Sequence, residues 1–312
     1  MARCFVTRKL PGNALDRLRE SHEVDVWEGD LPPGRDELLA RCADAEGLLC
    51  LLTDRVDAEL FDACPELRAV ANLAVGTDNI DLAEAARRDI PVGNTPGVLT
   101  ETTADLAFAL ILACARRIVE GAAAVRAGEW RTWEPAGWLG HDVHGAVIGI
   151  VGAGKIGRAV ARRAEGFGME VLLNGRTAAP GQVQLGELLA RSDFVSLHAP
   201  LTEETRHLIG ADELRAMRDT AILVNTGRGE LVDPVALRRA LEEGWIAGAG
   251  LDVTEPEPLP ADDPLLGAPN LTVLPHVGSA SHATREAMAS LAVGNLLAAL
   301  AGEPMPNPVE PG

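Results

Sequence analysis

The sequence predicts an α/β protein made of two doubly wound parallel-sheet domains, and three observations support that fold class. The chain has 312 residues, which is enough for two domains of ordinary size. Short apolar runs alternate with helical patterns through residues 1–97, as in a small α/β domain. A second series of the same kind begins at Val147, where the first strand leads directly into a glycine-rich turn and a helix.

The strands of both series are predicted from apolar runs. In the first series these runs are RCFVT, VDVW, GLLCLL, LRAVANLA and IPVGNT, separated by helical segments such as GNALDRLRE and DAELFDAC. In the second series they are VIGIVG, EVLLN, FVSLH, AILVNT, IAGAGLDV and LTVLPH. Because the second set is almost continuously apolar, we expect a parallel sheet covered on both faces.

Two long helical patterns connect the series. The alanine-rich segment ETTADLAFALILACARRIVEGAAAVRAGEW predicts one helix that leaves the first domain and enters the second. A segment rich in Trp, Pro and Gly follows it through Gly145. Residues from Ser281 to Gly302 predict another long helix, whose apolar face would return the chain to the first domain.

Composition and charge exclude several classes of protein. Hydrophobic residues make up 47% and charged residues 24%, which is typical of a folded globular protein. The net charge of −18 argues against nucleic acid as a partner. No apolar run approaches the roughly 20 residues needed to cross a bilayer, and the amino terminus does not resemble a signal peptide. We therefore expect a cytoplasmic protein with no membrane partner.

The cysteines and histidines do not predict a metal site. The cysteines are odd in number and lack C-x-x-C or zinc-finger spacing, so we expect reduced, mostly structural thiols at Cys4, Cys42, Cys50, Cys64 and Cys114. His141 and His144 lie close together but have no third ligand at a suitable spacing. We expect no catalytic metal, and we expect His198, His207 and His282 to form local hydrogen bonds or line a groove.

The glycine-rich turn predicts a dinucleotide site. Gly152 lets the chain turn off the strand, Gly154 removes a side chain where a pyrophosphate must approach the backbone, and Gly157 lets the helix pack on the sheet. The N–H groups at the start of the helix then face the phosphates. The flanking strand and helix make this pattern more specific than three glycines alone.

Three ionisable residues follow consecutive strands of the second series. Arg228 follows AILVNT, Glu257 follows GLDVTEP, and His276 closes LTVLP. Open parallel sheets bind ligands outside the carboxyl ends of their strands. Each residue alone has a structural explanation, but together at one edge they form a candidate catalytic set.

Five ordered segments resemble signatures of the D-isomer-specific 2-hydroxy acid dehydrogenase family: NLAVGTDNID, VGAGKIG, LVNTGRGELVD, GLDVTEPEPLP and LPHVGSA. Within that family, CLLTDRVD, TPGVLTETTADLAFALIL, WRTWEPAGWLG and GEPMP are most similar to glyoxylate/hydroxypyruvate reductases. The resemblance implies an NAD(P)-dependent enzyme with a Rossmann cofactor domain, residues 98–283, inserted in a discontinuous flavodoxin-like substrate domain, residues 1–97 and 284–312. It also implies a cleft that closes between the domains, and a homodimer.

The resemblance assigns roles to the candidate catalytic set. Arg228 would bind the substrate carboxylate and polarise the C2 carbonyl. His276 would be the general acid during reduction and the base in the reverse direction. Glu257 would hold the other ring nitrogen and favour the imidazolium form.

The resemblance also identifies residues that bind the substrate. The backbone N–H groups of Val75 and Gly76 would cradle the carboxylate. We expect Leu51, Leu52 and Trp138 to limit the size of the pocket, and Trp138 is similar to an aromatic residue that reaches a neighbouring subunit's pocket.

The cofactor groove would be formed by many residues. Asp252 would bind the nicotinamide carboxamide or orient Arg228, while Pro200 and Thr226 would line the groove. Further positions assigned to the cofactor are Lys155, Ile156, Gly175, His198, Thr205, Gly278 and Ser279.

The end of the second strand predicts the choice of cofactor. An NAD site places an acid there to bind the ribose 2′-hydroxyl, but this chain has Asn174. Arg176 and Thr177 supply a cation and a hydroxyl suited to a 2′-phosphate, so we predict NADP(H), with NAD(H) as the alternative. The chain from Thr177 to Leu185 is short for the family, which suggests a trimmed helix and an open adenosine end.

Other functions remain as alternatives. The same scaffold supports phosphoglycerate or phosphite oxidation, but no regulatory domain or basic cluster for a substrate phosphate is evident. A non-catalytic protein that senses NAD(P) is a hypothesis of a different class, because fold does not establish chemistry. The intact set of Arg228, Glu257 and His276 favours the enzyme.

Overall fold

The protein consists of two compact units, Met1–Leu99 with Ser279–Gly312, and Thr100–Gly278. The structure is a computed structural model that describes residues 1–176 and 180–310. Each unit is built around its own parallel β-sheet. These two sheets confirm the predicted fold class.

The first part of the chain alternates strands and short helices. Its strands are β1 (Arg3–Val6), β2 (Glu23–Val26), β3 (Gly47–Cys50), β4 (Ala69–Asn72) and β5 (Val92–Gly93). Its helices are α1 (Ala14–Arg19), α2 (Arg35–Cys42), α3 (Ala58–Ala63) and α4 (Leu82–Arg87). The sheet has the order β2-β1-β3-β4-β5, and every pair is parallel.

The second unit begins with two helices, α5 (Thr100–Ala115) and α6 (Ile118–Arg126). Its strands are β6 (Val147–Val151), β7 (Glu170–Asn174), β8 (Phe194–Leu197), β9 (Ile222–Asn225), β10 (Gly248–Leu251) and β11 (Leu271–Val273). Its other helices are α7 (Lys155–Gly166), α8 (Leu185–Arg191), α9 (Ala211–Ala216) and α10 (Pro234–Glu242). Short 3-10 helices span Gly229–Leu231 and Pro264–Gly267.

The second sheet has the order β11-β10-β9-β8-β6-β7 and is parallel throughout. The chain moves outward from β6 in both directions, so the strand order reverses between β6 and β8. Such a reversal opens a crevice at the carboxyl ends of the strands, where doubly wound proteins bind nucleotides. The glycine-rich turn follows β6 at this point.

The carboxyl-terminal helix α11 (His282–Leu300) belongs to the first unit. It begins at Ser281, whose hydroxyl accepts a hydrogen bond from the Thr284 N–H at 3.3 Å. The apolar residues Met288, Val293 and Leu296 of this helix are buried. The helix predicted from Ser281 to Gly302 is therefore present with almost the expected bounds.

The single long helix predicted from Glu101 to Trp130 is wrong, because α5 and α6 are separate. Arg117 adopts a left-handed conformation with φ 52°. The Ala115 carbonyl accepts a hydrogen bond from the His141 N–H at 2.8 Å instead of continuing the helix. A Cβ at Gly140 would lie 2.2 Å from that same oxygen, so glycine is needed for the loop to approach. A tertiary contact thus overrides the helical pattern.

No helix within the described ranges has both the length and the apolar character needed to cross a bilayer.

Candidate active site

Two glycines of the turn after β6 are required by the protein's own packing. Gly152 has φ 102°, and a Cβ there would lie 2.4 Å from the carbonyl carbon of His198. A Cβ at Gly157 would lie 2.1 Å from the Gly152 oxygen. The turn and the adjoining helix therefore approach each other only when both positions lack a side chain.

Gly154 has no such structural requirement. It is the N-cap of α7 with φ −76°, which any residue adopts, and a Cβ there would have no neighbour within 4 Å. The space beside the helix N-terminus is open, as backbone contact with a pyrophosphate requires. Lys155 is exposed and Ile156 half-buried at the first two helical positions. These residues fit a dinucleotide.

The end of β7 is held close to the glycine turn. The Asn174 carbonyl accepts a hydrogen bond from the Gly152 N–H at 2.9 Å, and its side-chain amide donates to the Val183 carbonyl at 2.9 Å. At Gly175 a Cβ would lie 3.2 Å from the Gln182 side chain. Arg176 is exposed, and Thr177 lies outside the described residues. Helix α8 follows with seven residues, so the predicted shortening leaves a short helix in place.

The positive charge of Arg176 contributes to lowering the pKa of Glu204. The pKa of the Glu204 carboxyl is lowered, first by a hydrogen bond from the Thr202 side chain and also by its own backbone N–H and the positive charge of Arg176. Thr205, in the same loop, donates its hydroxyl to the Pro200 carbonyl at 2.7 Å. Among the contributions to the Glu204 pKa, the positive charge of Arg176 is the smallest.

His198 is half-buried directly after β8. Its Nε2 lies 2.8 Å from the Ser196 hydroxyl, and its Nδ1 lies 3.4 Å from the Thr226 hydroxyl. Burial lowers the pKa of His198 to about 4, so the imidazole is neutral at physiological pH. Its backbone also closes over Gly152, and His198 therefore supports the turn.

Arg228 lies in a tight loop after β9. The Asn225 amide donates to the Arg228 carbonyl at 2.7 Å, while the Asn225 Oδ1 accepts from the Gly227 N–H at 3.0 Å. A Cβ at Gly229 would lie 2.0 Å from the Thr254 oxygen, so the loop packs directly on the segment that follows β10. Arg228 itself is half-buried and extended, with φ −139°.

The His276 and Glu257 side chains are hydrogen-bonded to each other. His276 Nδ1 lies 2.6 Å from Glu257 Oε1, and the two side chains are 24% and 33% exposed. The strands that precede Arg228, Glu257 and His276 are neighbours in register, since Leu251 pairs with both Asn225 and Val273. Because the Glu257 carboxylate engages Nδ1, a proton exchanged with another molecule would pass through Nε2.

Asp252 holds the backbone around His276. It is 1% exposed, and its two oxygens accept hydrogen bonds from the N–H groups of Val277 and Gly278, each at 2.8 Å. The backbone carbonyl of Asp252 accepts a hydrogen bond from the His276 N–H at 2.9 Å. Burial raises the pKa of this carboxyl, whereas the two backbone bonds lower it. The predicted contact with a nicotinamide or with Arg228 stays a prediction.

The predicted substrate residues of the first unit lie at the carboxyl edge of its sheet. Val75 is 37% exposed and Gly76 is half-buried in the loop after β4. Leu51 and Leu52 are half-buried in the loop after β3. Ser279, which was predicted to contact the cofactor, is also assigned to this unit.

Trp138 lies in the loop between α6 and β6. It has φ 56° and is 48% exposed, and the Arg117 guanidinium lies 5.3 Å from its ring centroid. Its predicted contact with a second subunit stays a prediction.

No three His, Cys, Asp or Glu side chains within residues 1–176 and 180–310 are arranged to hold a metal ion.

Three strands end in an asparagine whose hydrogen bond to the following loop was not predicted from the sequence. Asn72, Asn174 and Asn225 are the last residues of β4, β7 and β9, and each donates a hydrogen bond to a carbonyl of the chain that follows. The signal was present in the sequence, because AVAN, EVLLN and ILVN each place one polar residue at the end of an apolar strand. A side-chain amide there satisfies loop backbone that the sheet ladder does not reach.

The chain is similar to proteins of one family along most of its length. The profile for the NAD binding domain of the D-isomer specific 2-hydroxyacid dehydrogenases matches residues 108–278. A glyoxylate reductase from Korarchaeum cryptofilum is 54% identical over 314 aligned residues, covering 98% of this chain and 95% of that protein. The chain belongs to the D-isomer specific 2-hydroxyacid dehydrogenase family.

Two solved structures are similar along almost the whole chain. The TT0316 protein from Thermus thermophilus has a TM-score of 0.95 at 52% identity, with coverage of 99% of this chain and 100% of that one. An NADPH-dependent glyoxylate/hydroxypyruvate reductase from Sinorhizobium meliloti, in complex with NADP and malonate, has a TM-score of 0.86 at 36% identity, with coverage of 99% and 96%. The protein is an NAD(P)-dependent dehydrogenase that uses a nicotinamide cofactor.

Alanine substitutions at two glycines should separate packing from ligand binding. Gly154→Ala should leave the thermal unfolding temperature unchanged but weaken cofactor binding about 10-fold or more, because its Cβ enters only the open space. Gly152→Ala should destabilise the protein by about 2 kcal/mol or more, because φ is positive and the Cβ meets the backbone. Calorimetry and fluorescence titration would measure both quantities. Equal cofactor affinity in wild type and Gly154→Ala would contradict this account of the turn.

Proposed function

We propose that the protein reduces small 2-keto acids, glyoxylate and hydroxypyruvate first among them, to D-2-hydroxy acids with NADPH. The observation that carries the proposal is the hydrogen-bonded pair of His276 and Glu257 on the same strand edge as Arg228. An acid, its carboxylate partner and a cation are what reduction of a 2-keto acid needs. The glyoxylate reductase from K. cryptofilum supports the choice of substrate.

His276 acts as the general acid. The bound nicotinamide supplies a hydride to C2 of the keto acid. The carbonyl π electrons move to the oxygen, which takes the proton from His276 Nε2. Glu257 Oε1, at 2.6 Å from Nδ1, stabilises the imidazolium before transfer and keeps the ring in one orientation.

Arg228 and the Val75–Gly76 loop bind the substrate carboxylate. A guanidinium is a planar, permanently charged donor, so it pairs with a carboxylate and also polarises an adjacent carbonyl. The loop supplies backbone N–H groups, and an anion can approach them closely because Gly76 has no side chain. Leu51 and Leu52 form apolar walls that favour a short substituent at C2.

The choice of NADPH rests on the end of β7. Asn174 carries no charge to repel a 2′-phosphate, and its amide is already bonded to Val183. Arg176 is an exposed cation two residues further on. The carboxylate of Glu204 interacts electrostatically with Arg176, so its negative charge would oppose the binding of a phosphate by Arg176. The S. meliloti reductase, named as NADPH-dependent, supports the assignment.

The protein acts as a homodimer assembled through the surface around α6. Large apolar residues between positions 118 and 139 are exposed on the single chain. They are Ile118, Val119, Val125, Trp130, Trp133, Trp138 and Leu139. Aromatic and aliphatic side chains concentrated in one segment are typical of a buried interface. Trp138 reaches the partner subunit in this arrangement.

The enzyme is cytoplasmic, and the state of its thiols supports that location. All five cysteines are free, and Cys4, Cys42, Cys50 and Cys64 are buried. Burial raises the pKa of Cys4 to about 12, so that thiol is unreactive.

Replacing the acid should strongly lower turnover without affecting cofactor binding. His276→Ala should lower kcat for glyoxylate reduction by about 10²- to 10⁴-fold, because no other group delivers the proton. Glu257→Gln should lower kcat by a smaller factor, since a neutral amide holds the ring but stabilises its positive charge less. The control His144→Ala removes an exposed histidine and should behave as wild type. Wild-type kcat in His276→Ala would contradict the mechanism.

The cofactor preference should respond in opposite directions to two substitutions. Arg176→Ala should reduce the ratio of kcat/KM with NADPH to that with NADH by about 10- to 100-fold, because a charged hydrogen bond to phosphate is lost. Glu204→Gln should increase the ratio by removing the competing carboxylate. Arg191→Ala, on α8 and paired with Glu170 and Glu187, is the control and should leave the ratio unchanged. A ratio indifferent to both substitutions would assign the 2′-position to other residues.

Sedimentation should show a particle of two chains at micromolar concentration. The double variant Ile118→Glu, Val125→Glu places charges on the α6 surface and should dissociate it. Val235→Glu, at a site 69% exposed on α10, is the control and should remain a dimer. A monomeric wild type, or dissociation by the control alone, would refute this interface.

A further inference from the structure

Three consecutive carbonyls in the loop after β4 are tied to the body of the first unit. The Ala74 oxygen accepts a hydrogen bond from the Thr95 N–H at 2.9 Å. The Val75 oxygen accepts from the Asn94 amide at 2.8 Å, and the Gly76 oxygen accepts from the Asn72 amide at 2.9 Å. Each of these three carbonyls is therefore engaged by a donor of the same unit.

The direction of these carbonyls decides the direction of the N–H groups. In a trans peptide the C=O and the following N–H point in opposite directions. The N–H groups of Val75 and Gly76 therefore face away from Thr95 and Asn94, the groups that hold the preceding carbonyls. If either peptide rotated by half a turn, it would present a carbonyl lone pair to an anion instead of a donor.

Asn72 also connects this loop to the loop that follows β3. Its Nδ2 lies 3.1 Å from Asn79 Oδ1, and Asn79 Nδ2 donates to the carbonyls of Leu51 and Asp54, each at 3.0 Å. Asn72 is fully buried. One chain of amides thus sets the backbone of both loops in which substrate residues were predicted.

Asn94 is in turn held by the carboxyl-terminal helix. Asn295 of α11 donates to the Asn94 carbonyl at 2.8 Å and accepts from the Asn307 N–H at 2.9 Å. Asn295 is fully buried on a helix face whose other buried residues are mostly apolar. A Cβ at Gly93 would lie 2.7 Å from its Nδ2, so the strand end accommodates this amide. A buried amide at such a position is costly unless both of its ends are bonded, as they are here.

We propose that Asn72, Asn79, Asn94 and Asn295, the amide frame, are positioning residues that aim the Val75 and Gly76 N–H groups at the substrate carboxylate. The inference rests on the proposed function, in which that loop binds the carboxylate. It adds that substrate affinity is set by residues that do not touch the substrate, one of them in the carboxyl-terminal helix.

The carboxylate is the same in the ground state and in the transition state of carbonyl reduction. A substitution in the amide frame therefore weakens carboxylate binding equally in the ground state and in the transition state. Such a change raises KM and leaves kcat nearly unchanged. Cofactor affinity should not change, because the glycine turn lies in the other unit. This pattern differs from general destabilisation.

The test uses Asn94, which is half-buried and carries the bond to the Val75 carbonyl. Asn94→Ala should raise KM for glyoxylate and the Kd of oxalate, an analogue with a second carboxylate in place of the aldehyde, by about 10-fold. Asn94→Asp keeps the side-chain size but places a negatively charged oxygen, which repels the Val75 carbonyl, where the amide donated. Its increase in KM and oxalate Kd should therefore be larger. Asn307→Ala is the matched control, since its backbone oxygen accepts from the Asn94 N–H at 3.2 Å while its side chain bonds no part of the loop among the described residues.

The readouts are KM, kcat, oxalate Kd and NADPH Kd, with circular dichroism to verify folding. Wild-type KM and oxalate Kd in both folded Asn94 variants would overturn the amide frame while leaving the proposed function intact. Equal losses in Asn307→Ala, or a parallel loss of NADPH affinity, would also overturn it. If the wild type binds oxalate but reduces no keto acid, the proposed function falls and the oxalate Kd alone decides the frame. If it binds neither, both fall.

Discussion

The backbone beyond the carboxyl end of each parallel strand must find hydrogen-bond partners outside the sheet, and this constraint shapes the whole candidate site. Buried peptide groups are costly when unpaired. In this protein Asn72, Asn174 and Asn225 end three strands and each bonds a carbonyl of the following chain. These hydrogen bonds to backbone carbonyls therefore fix the loops that carry the predicted substrate, cofactor and carboxylate-binding residues.

Two acidic residues at the β10 end have different tasks because their surroundings differ. Asp252 is buried, and its two carboxylate oxygens accept hydrogen bonds from the N–H groups of Val277 and Gly278, which fixes the chain beside His276. Glu257 is partly exposed, and one of its oxygens is hydrogen-bonded to the His276 ring. The first carboxylate therefore orients the backbone and the second orients the imidazole, so the acid in our proposal is constrained from both sides.

Much of the fold and part of the site could be predicted from sequence, because they depend on local patterns. Apolar runs and the glycine turn predicted both sheets, and the strand-end positions of Arg228, Glu257 and His276 followed from the order of the runs. The break between α5 and α6 could not be predicted, since it depends on the His141 N–H reaching the Ala115 carbonyl from a distant loop. Asn94 and Asn295, 201 residues apart, meet only in the folded chain.

The proposed activity is tested most directly by measuring the absorbance change as the purified wild-type protein oxidises NADPH and NADH in parallel. Glyoxylate, hydroxypyruvate and pyruvate serve as acceptors. We expect turnover of glyoxylate or hydroxypyruvate with a higher kcat/KM for NADPH than for NADH. The absence of turnover with every pair of cofactor and keto acid would contradict the proposed activity.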